Sequence, residues 1–115
     1  MTITRIKPGP RMSMGVRHGD TVYLAGQVPN DWNGTIEQQT AEVLATIDSL
    51  LAEAGTDKSK ALFVQVILQS IGDFAKMNSV YDTWIDPANP PARACIEARL
   101  ADPAIKVEII VTAAA

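Results

Sequence analysis

The sequence predicts an α+β fold in which one β-sheet carries two amphipathic helices on a single face, and three observations on the 115 residues lead there. Apolar residues recur with a period of two near both ends, two interior stretches repeat with helical spacing, and a short β-branched run lies between those stretches. With 47% hydrophobic residues, the chain has the material for a single domain over residues 1–115 whose core needs neither a disulfide nor a metal.

From the start of the chain, Ile3 to Ile6 reads as a short strand, ended by Lys7-Pro8-Gly9-Pro10, where the prolines remove ladder donors. Met12, Met14 and Val16 then alternate, His18-Gly19-Asp20 supplies turn residues, and Val22 to Ala25 resumes as a strand, so a hairpin is predicted. Gly26 and Pro29 end that strand.

Thr35 followed three residues later by Gln38 forms a capping box. Ile36, Val43, Leu44, Ile47, Leu50, Leu51 and Ala54 hold one helical stripe up to Gly55, a residue suited to a left-handed cap, and the helix is expected from Thr35 to Ala54. Ala61 to Gln69 is apolar on both faces, as a central strand is. Asp73 is expected to cap a second helix with Phe74, Met77, Tyr81 and Trp84 on one stripe, and Asn89-Pro90-Pro91 ends the connection after it.

In the last segment Arg93, Cys95, Glu97 and Arg99 alternate with Ala92, Ala94, Ile96, Ala98 and Leu100, which gives a strand with an apolar face and a face carrying chemistry. After Asp102-Pro103, Ile105, Val107, Ile109 and Val111 alternate with Lys106, Glu108, Ile110 and Thr112 as a second strand. Pairing of these two strands is expected to bring the Arg93 guanidinium and the Glu108 carboxylate together. Helices on one face leave the other face showing Phe63 and Ile67 or their alternates on the same strand, with Ile110, an association surface for a symmetric homo-oligomer.

Composition excludes several classes of function. Thirteen acidic against ten basic residues give a net charge of −3 with no basic stripe, so nucleic acid is not an expected partner. No run approaches the roughly 20 apolar residues needed to span a bilayer, and the first residues lack the apolar core of a signal peptide, so a cytoplasmic chain without membrane partners is expected. Cys95 is the only cysteine, which fits a reducing compartment; with His18 as the only histidine, the usual zinc clusters are absent and no metal or cofactor is expected.

Three segments resemble the reactive intermediate deaminase family, also called Rid or YjgF and described as endoribonuclease L-PSP-like. They are Val22-Tyr23-Leu24-Ala25-Gly26-Gln27-Val28-Pro29, Asp73-Phe74-Ala75-Lys76-Met77-Asn78 and, most specifically, Pro91-Ala92-Arg93 through Val107-Glu108-Ile109. The likeness covers nearly the whole chain. It implies a chorismate-mutase-like fold, a homotrimer with three clefts between subunits, and cofactor-independent hydrolysis of 2-enamino or 2-imino acids to 2-keto acids and ammonia. The alternative is a non-catalytic protein that binds small carboxylates such as 2-keto acids in the same clefts. Ribonuclease activity, ascribed to some relatives, is opposed by the acidic composition.

Arg93 matches the family's carboxylate anchor, a role that suits a guanidinium fork; its other reading is an ion pair with Glu97 or Glu108. Glu108 matches the acidic position that holds or deprotonates the attacking water, or else is the structural partner of Arg93. Cys95 stands where relatives line the cleft with a cysteine, and behaves equally as a small buried hydrophobe. Gly26, with Ala25 beside it, either lets substrate or water approach the backbone or simply ends a strand. Asn78 and Tyr81 read as helix core more than ligand surface, and His18 as a solvated turn residue. Many deaminating relatives carry a tyrosine in the early strand where this chain has Met12, a flexible apolar wall, which marks a side branch with shifted substrate preference.

Overall fold

In the computed structural model, which describes residues 1–115, six strands and two helices follow one another as β1 (Ile3–Pro8), β2 (Ser13–His18), β3 (Thr21–Leu24), α1 (Ile36–Glu53), β4 (Ala61–Leu68), α2 (Phe74–Trp84), β5 (Ala92–Glu97) and β6 (Val107–Ala114). The strands form one sheet in the order β1-β2-β3-β6-β4-β5. Only β4 and β5 pair in parallel, joined by the α2 crossover, and every other pair is antiparallel.

The first hairpin forms as predicted, with Gly19 at φ 61° supplying the backbone that its tight turn needs. β1 runs two residues further than expected: Pro8 pairs with Ser13, which an edge strand tolerates because one side of its backbone has no partner. Thr35 and Gln38 close the capping box at the start of α1, and Gly55 at φ 84° follows its C-cap residue Ala54. No side chain caps α2. A short 3₁₀ turn, Ile71–Asp73, leads into it instead, and the Asp73 carboxylate makes no bond to the helix.

Val43, Leu44, Ile47, Leu50 and Leu51 of α1, with Met77 of α2, pack on Val22, Val64, Val66, Val107, Ile109 and Val111 of the sheet, all nearly inaccessible to water. The principal extents are 42 × 37 × 20 Å, and the shortest is about the depth of one helix layer on one sheet. The second sheet face therefore has no cover. Tyr23, Phe63 and Ile96 lie there 52%, 39% and 43% exposed, with Phe63 and Tyr23 both opposite Thr112 in register.

Two expectations for the C-terminal strands change. β5 and β6 do not pair, because β4 lies between them. β5 also ends at Glu97, so Arg99 is outside it, and Ile105 is buried just before β6 begins.

Candidate functional site

Arg93 is opposite Val64 in the parallel register, so it shares the sheet face that α2 covers. The face of β5 expected to be apolar, Ala92, Ala94 and Ile96, is the uncovered one. This reversal follows from the position of β5 at the sheet edge beneath α2, where a long polar side chain reaches past the core to the helix.

The half-buried guanidinium is held from α2 alone. Nη1 donates to Asn78 Oδ1 at 2.7 Å, the Tyr81 ring lies 4.8 Å from the guanidinium carbon and the Phe74 ring 5.8 Å. Phe74, Asn78 and Tyr81 stand at i, i+4 and i+7, so one helix stripe supplies all three. No carboxylate pairs with Arg93: the single ion pair of the protomer joins Lys7 to Glu53, and Glu97 accepts from the Ile71 amide at 2.9 Å instead. The ion-pair reading of Arg93 is thereby excluded within the protomer. An unpaired, half-desolvated guanidinium on aromatic rings has the charge and the free donors to receive an anion.

Cys95 lies two residues along the same face against the edge of the core. Burial pushes its thiol up, more than the Arg93 charge pulls it down, so it is a poor thiolate nucleophile. Burial likewise raises the Tyr81 phenol against the opposing pull of Arg93, with a smaller upward push from Asp82.

Glu108 is opposite Ile67 in register and so lies on the uncovered face, half-buried. Val64 and Ile67 are three residues apart on β4, an odd step that puts their partners Arg93 and Glu108 on opposite sides of the sheet. The expected meeting of this guanidinium and carboxylate does not occur within one chain. Beside Glu108 is Gly26: a methyl group built there overlaps Glu108 Oε2. The segment is clamped, since Gln27 exchanges both backbone bonds with Ile109 at 2.9 and 3.0 Å and its side chain donates to Ala25 O at 2.8 Å. The Ala25 amide donates to Met14 O at 2.9 Å, whereas the amide and carbonyl of Gly26 take no protein partner.

Met12 is 49% exposed just before β2, and His18 is exposed at its end. The structure thus brings Arg93 and Cys95 together on one face, and Gly26 and Glu108 on the other, with Ala25 in the loop beside Gly26. Tyr81 is core, as the sequence predicts, and its ring also faces the guanidinium; Asn78, read as core too, is instead the guanidinium's hydrogen-bond partner, and the signal for it was a polar asparagine within an aromatic helix stripe. No three His, Cys, Asp or Glu side chains cluster as a metal-ligand set. The one groove of size, about 290 Å³, runs between α1 and α2 past Leu44, Asp48, Lys58 and Trp84, away from both faces of the site.

A family model described as endoribonuclease L-PSP matches residues 2–115. A RutC family protein of Haemophilus influenzae is 48% identical over 117 residues, covering 98% of each chain. The RutC family protein YoaB of Escherichia coli strain K12 is 40% identical over 114 residues, covering 99% of each. Among solved structures, a YjgF family member from Neisseria meningitidis superposes with a TM-score of 0.96 at 45% identity, covering 99% of this chain and 95% of that one. No helix is long and apolar enough to cross a membrane.

Proposed function

This chain belongs to the endoribonuclease L-PSP family, the Rid or YjgF family, and on that premise we propose that it hydrolyses 2-imino and 2-enamino acids to 2-keto acids and ammonia without a cofactor. The observation that carries the reading is Arg93, a guanidinium held by Asn78, Tyr81 and Phe74 with no carboxylate of its own. Such a fork takes a substrate carboxylate in a fixed orientation. Glu108, equally without an ion-pair partner, is the group to manage water.

Because the two residues face opposite sides of one sheet, they serve one substrate only when different protomers supply them. The exposed Tyr23, Phe63 and Ile96 support an assembly that covers this face, a homotrimer with its clefts between subunits. In the reaction the water oxygen bonds to the imine carbon while Glu108 takes a water proton, and the C=N electron pair passes to nitrogen, which is protonated. The nitrogen then takes a second proton, returned by Glu108, so that the C–N bond breaks and ammonia leaves with the pair, and loss of the hydroxyl proton forms the keto group; a 2-enamino acid first takes a proton at its β-carbon to become the imine. The free amide and carbonyl of Gly26 suit the substrate nitrogen, and Cys95 lines the Arg93 side. A lone, protonated Cys95 fits a reducing cytoplasm. The nuclease activity in the family's description is not carried over, since a net charge of −3 without a basic stripe offers little to a phosphate backbone.

Imines generated by an amino-acid oxidase and followed to their loss test the reading. The wild type is expected to accelerate hydrolysis and Arg93→Ala to abolish the acceleration. A wild type that is stabilised by 2-keto acids yet turns over no imine assigns the chain to carboxylate binding instead.

A further inference from the structure

Gly26 has no backbone reason to be glycine. Positive φ angles occur at Gly19, Gly55 and Lys7 but not at Gly26, so an alanine adopts this conformation freely. Space is the difference. A Cβ at Gly26 overlaps Glu108 Oε2, lies 3.0 Å from Glu108 Cδ, and is 3.2 Å from Ile110 Cγ1. The backbone cannot retreat from that overlap, because residues 25–27 are tied to Ile109 and Met14 by three backbone bonds of 2.9–3.0 Å.

Glu108, for its part, has no ion pair and no hydrogen bond in the protomer to aim its carboxylate. A glutamate has three side-chain torsions, the last of them broad, and loses much freedom when ordered. Packing in the Gly26 notch, beside Ile110, limits where the carboxylate points.

We infer that Gly26 is a positioning residue for the water-handling group: the space left by its missing side chain is the seat of Glu108 Oε2. With one oxygen against the clamped backbone, the last torsion is restricted and the direction of the second oxygen is set before substrate arrives. The role in catalysis rests on the reading of Glu108 above; the seat itself rests on the overlap alone. The open space that the sequence reserves at Gly26 is thus filled by the protein's own carboxylate.

Two measurements test the inference. In imine hydrolysis, Gly26→Ala is expected to lower kcat about tenfold or more while 2-keto acid affinity stays within about twofold, since Arg93 is untouched. In thermal unfolding, the Tm change on Gly26→Ala is expected to be less favourable by about 2 °C in the wild-type and Glu108→Gln backgrounds than where Glu108→Ala has emptied the notch. Equal changes in all three backgrounds overturn the inference, and so does a Gly26→Ala enzyme with wild-type kcat. A wild type that hydrolyses no imine while the thermal coupling persists overturns the deaminase reading alone and keeps the seat.

Discussion

Arg93 depends on geometry as much as on charge. Its fork is oriented by one 2.7 Å bond to Asn78 and by the face of Tyr81, both of which suit a planar guanidinium. Arg93→Lys keeps the charge and loses the fork, so affinity for a 2-keto acid, read by calorimetry or thermal shift, is expected to fall about tenfold or more. Cys95 gives a pH prediction with a definite sign. Its folded thiol is raised by burial, so the folded chain holds this proton more tightly than the unfolded chain. The associated stability is present below the unfolded value, about 8.5, and is lost as pH rises through the folded value. Wild type and Cys95→Ala should therefore show parallel Tm curves below about pH 8, with the wild type falling more steeply above it.

Among the elements, α1 organises the loops that flank β6. Gln39, buried on its first turn, donates through Nε2 to Ala104 O at 2.9 Å and Gly34 O at 3.2 Å, while its Oε1 accepts from the Lys106 amide at 2.8 Å. One side chain thus joins the segment before α1 to the segment that leads into β6 and Glu108. Gln39→Leu matches the volume but leaves these groups unpaired, so urea unfolding should show a loss of about 2 kcal/mol or more. The arginine stripe of α2 works differently: Met77, Tyr81 and Trp84 anchor the helix in the core, which leaves Phe74 and Asn78 along the border where β5 passes. Phe74 was expected in the core but is 41% exposed, because β5 is an edge strand and no further strand covers that end.

For the whole molecule, the sheet decides how a site must be assembled. With Arg93 and Glu108 on opposite faces, each proposed cleft draws one from each of two protomers. Neither Arg93→Ala nor Glu108→Ala should be active alone. If the two are unfolded together in equal amounts and refolded, about a quarter of the clefts combine the intact Arg93 of one chain with the intact Glu108 of the other, and about a quarter of wild-type activity is expected to return. Recovery of no activity, with mixed oligomers demonstrated by mass, would show that one protomer supplies both residues.

Local patterns in the chain were enough for the elements. The capping box at Thr35, the stripe from Ile36 to Ala54, the hairpin at Gly19 and the alternation of Val107, Ile109 and Val111 are each set by neighbours within a few residues, so periodicity and turn chemistry expose them. The identities of Arg93, Glu108 and Gly26 were visible in the same way, as motif residues. What faces what was decided only by tertiary structure. Strand order is a long-range outcome: inserting β6 between β3 and β4 separated two strands that are adjacent in sequence, and the parity of the β4 register then turned Arg93 toward α2 and Glu108 toward the open side. The contacts of Asn78 and Tyr81 with Arg93, and the fit of Glu108 into the space at Gly26, join residues 12 to 82 positions apart, beyond the reach of any local period.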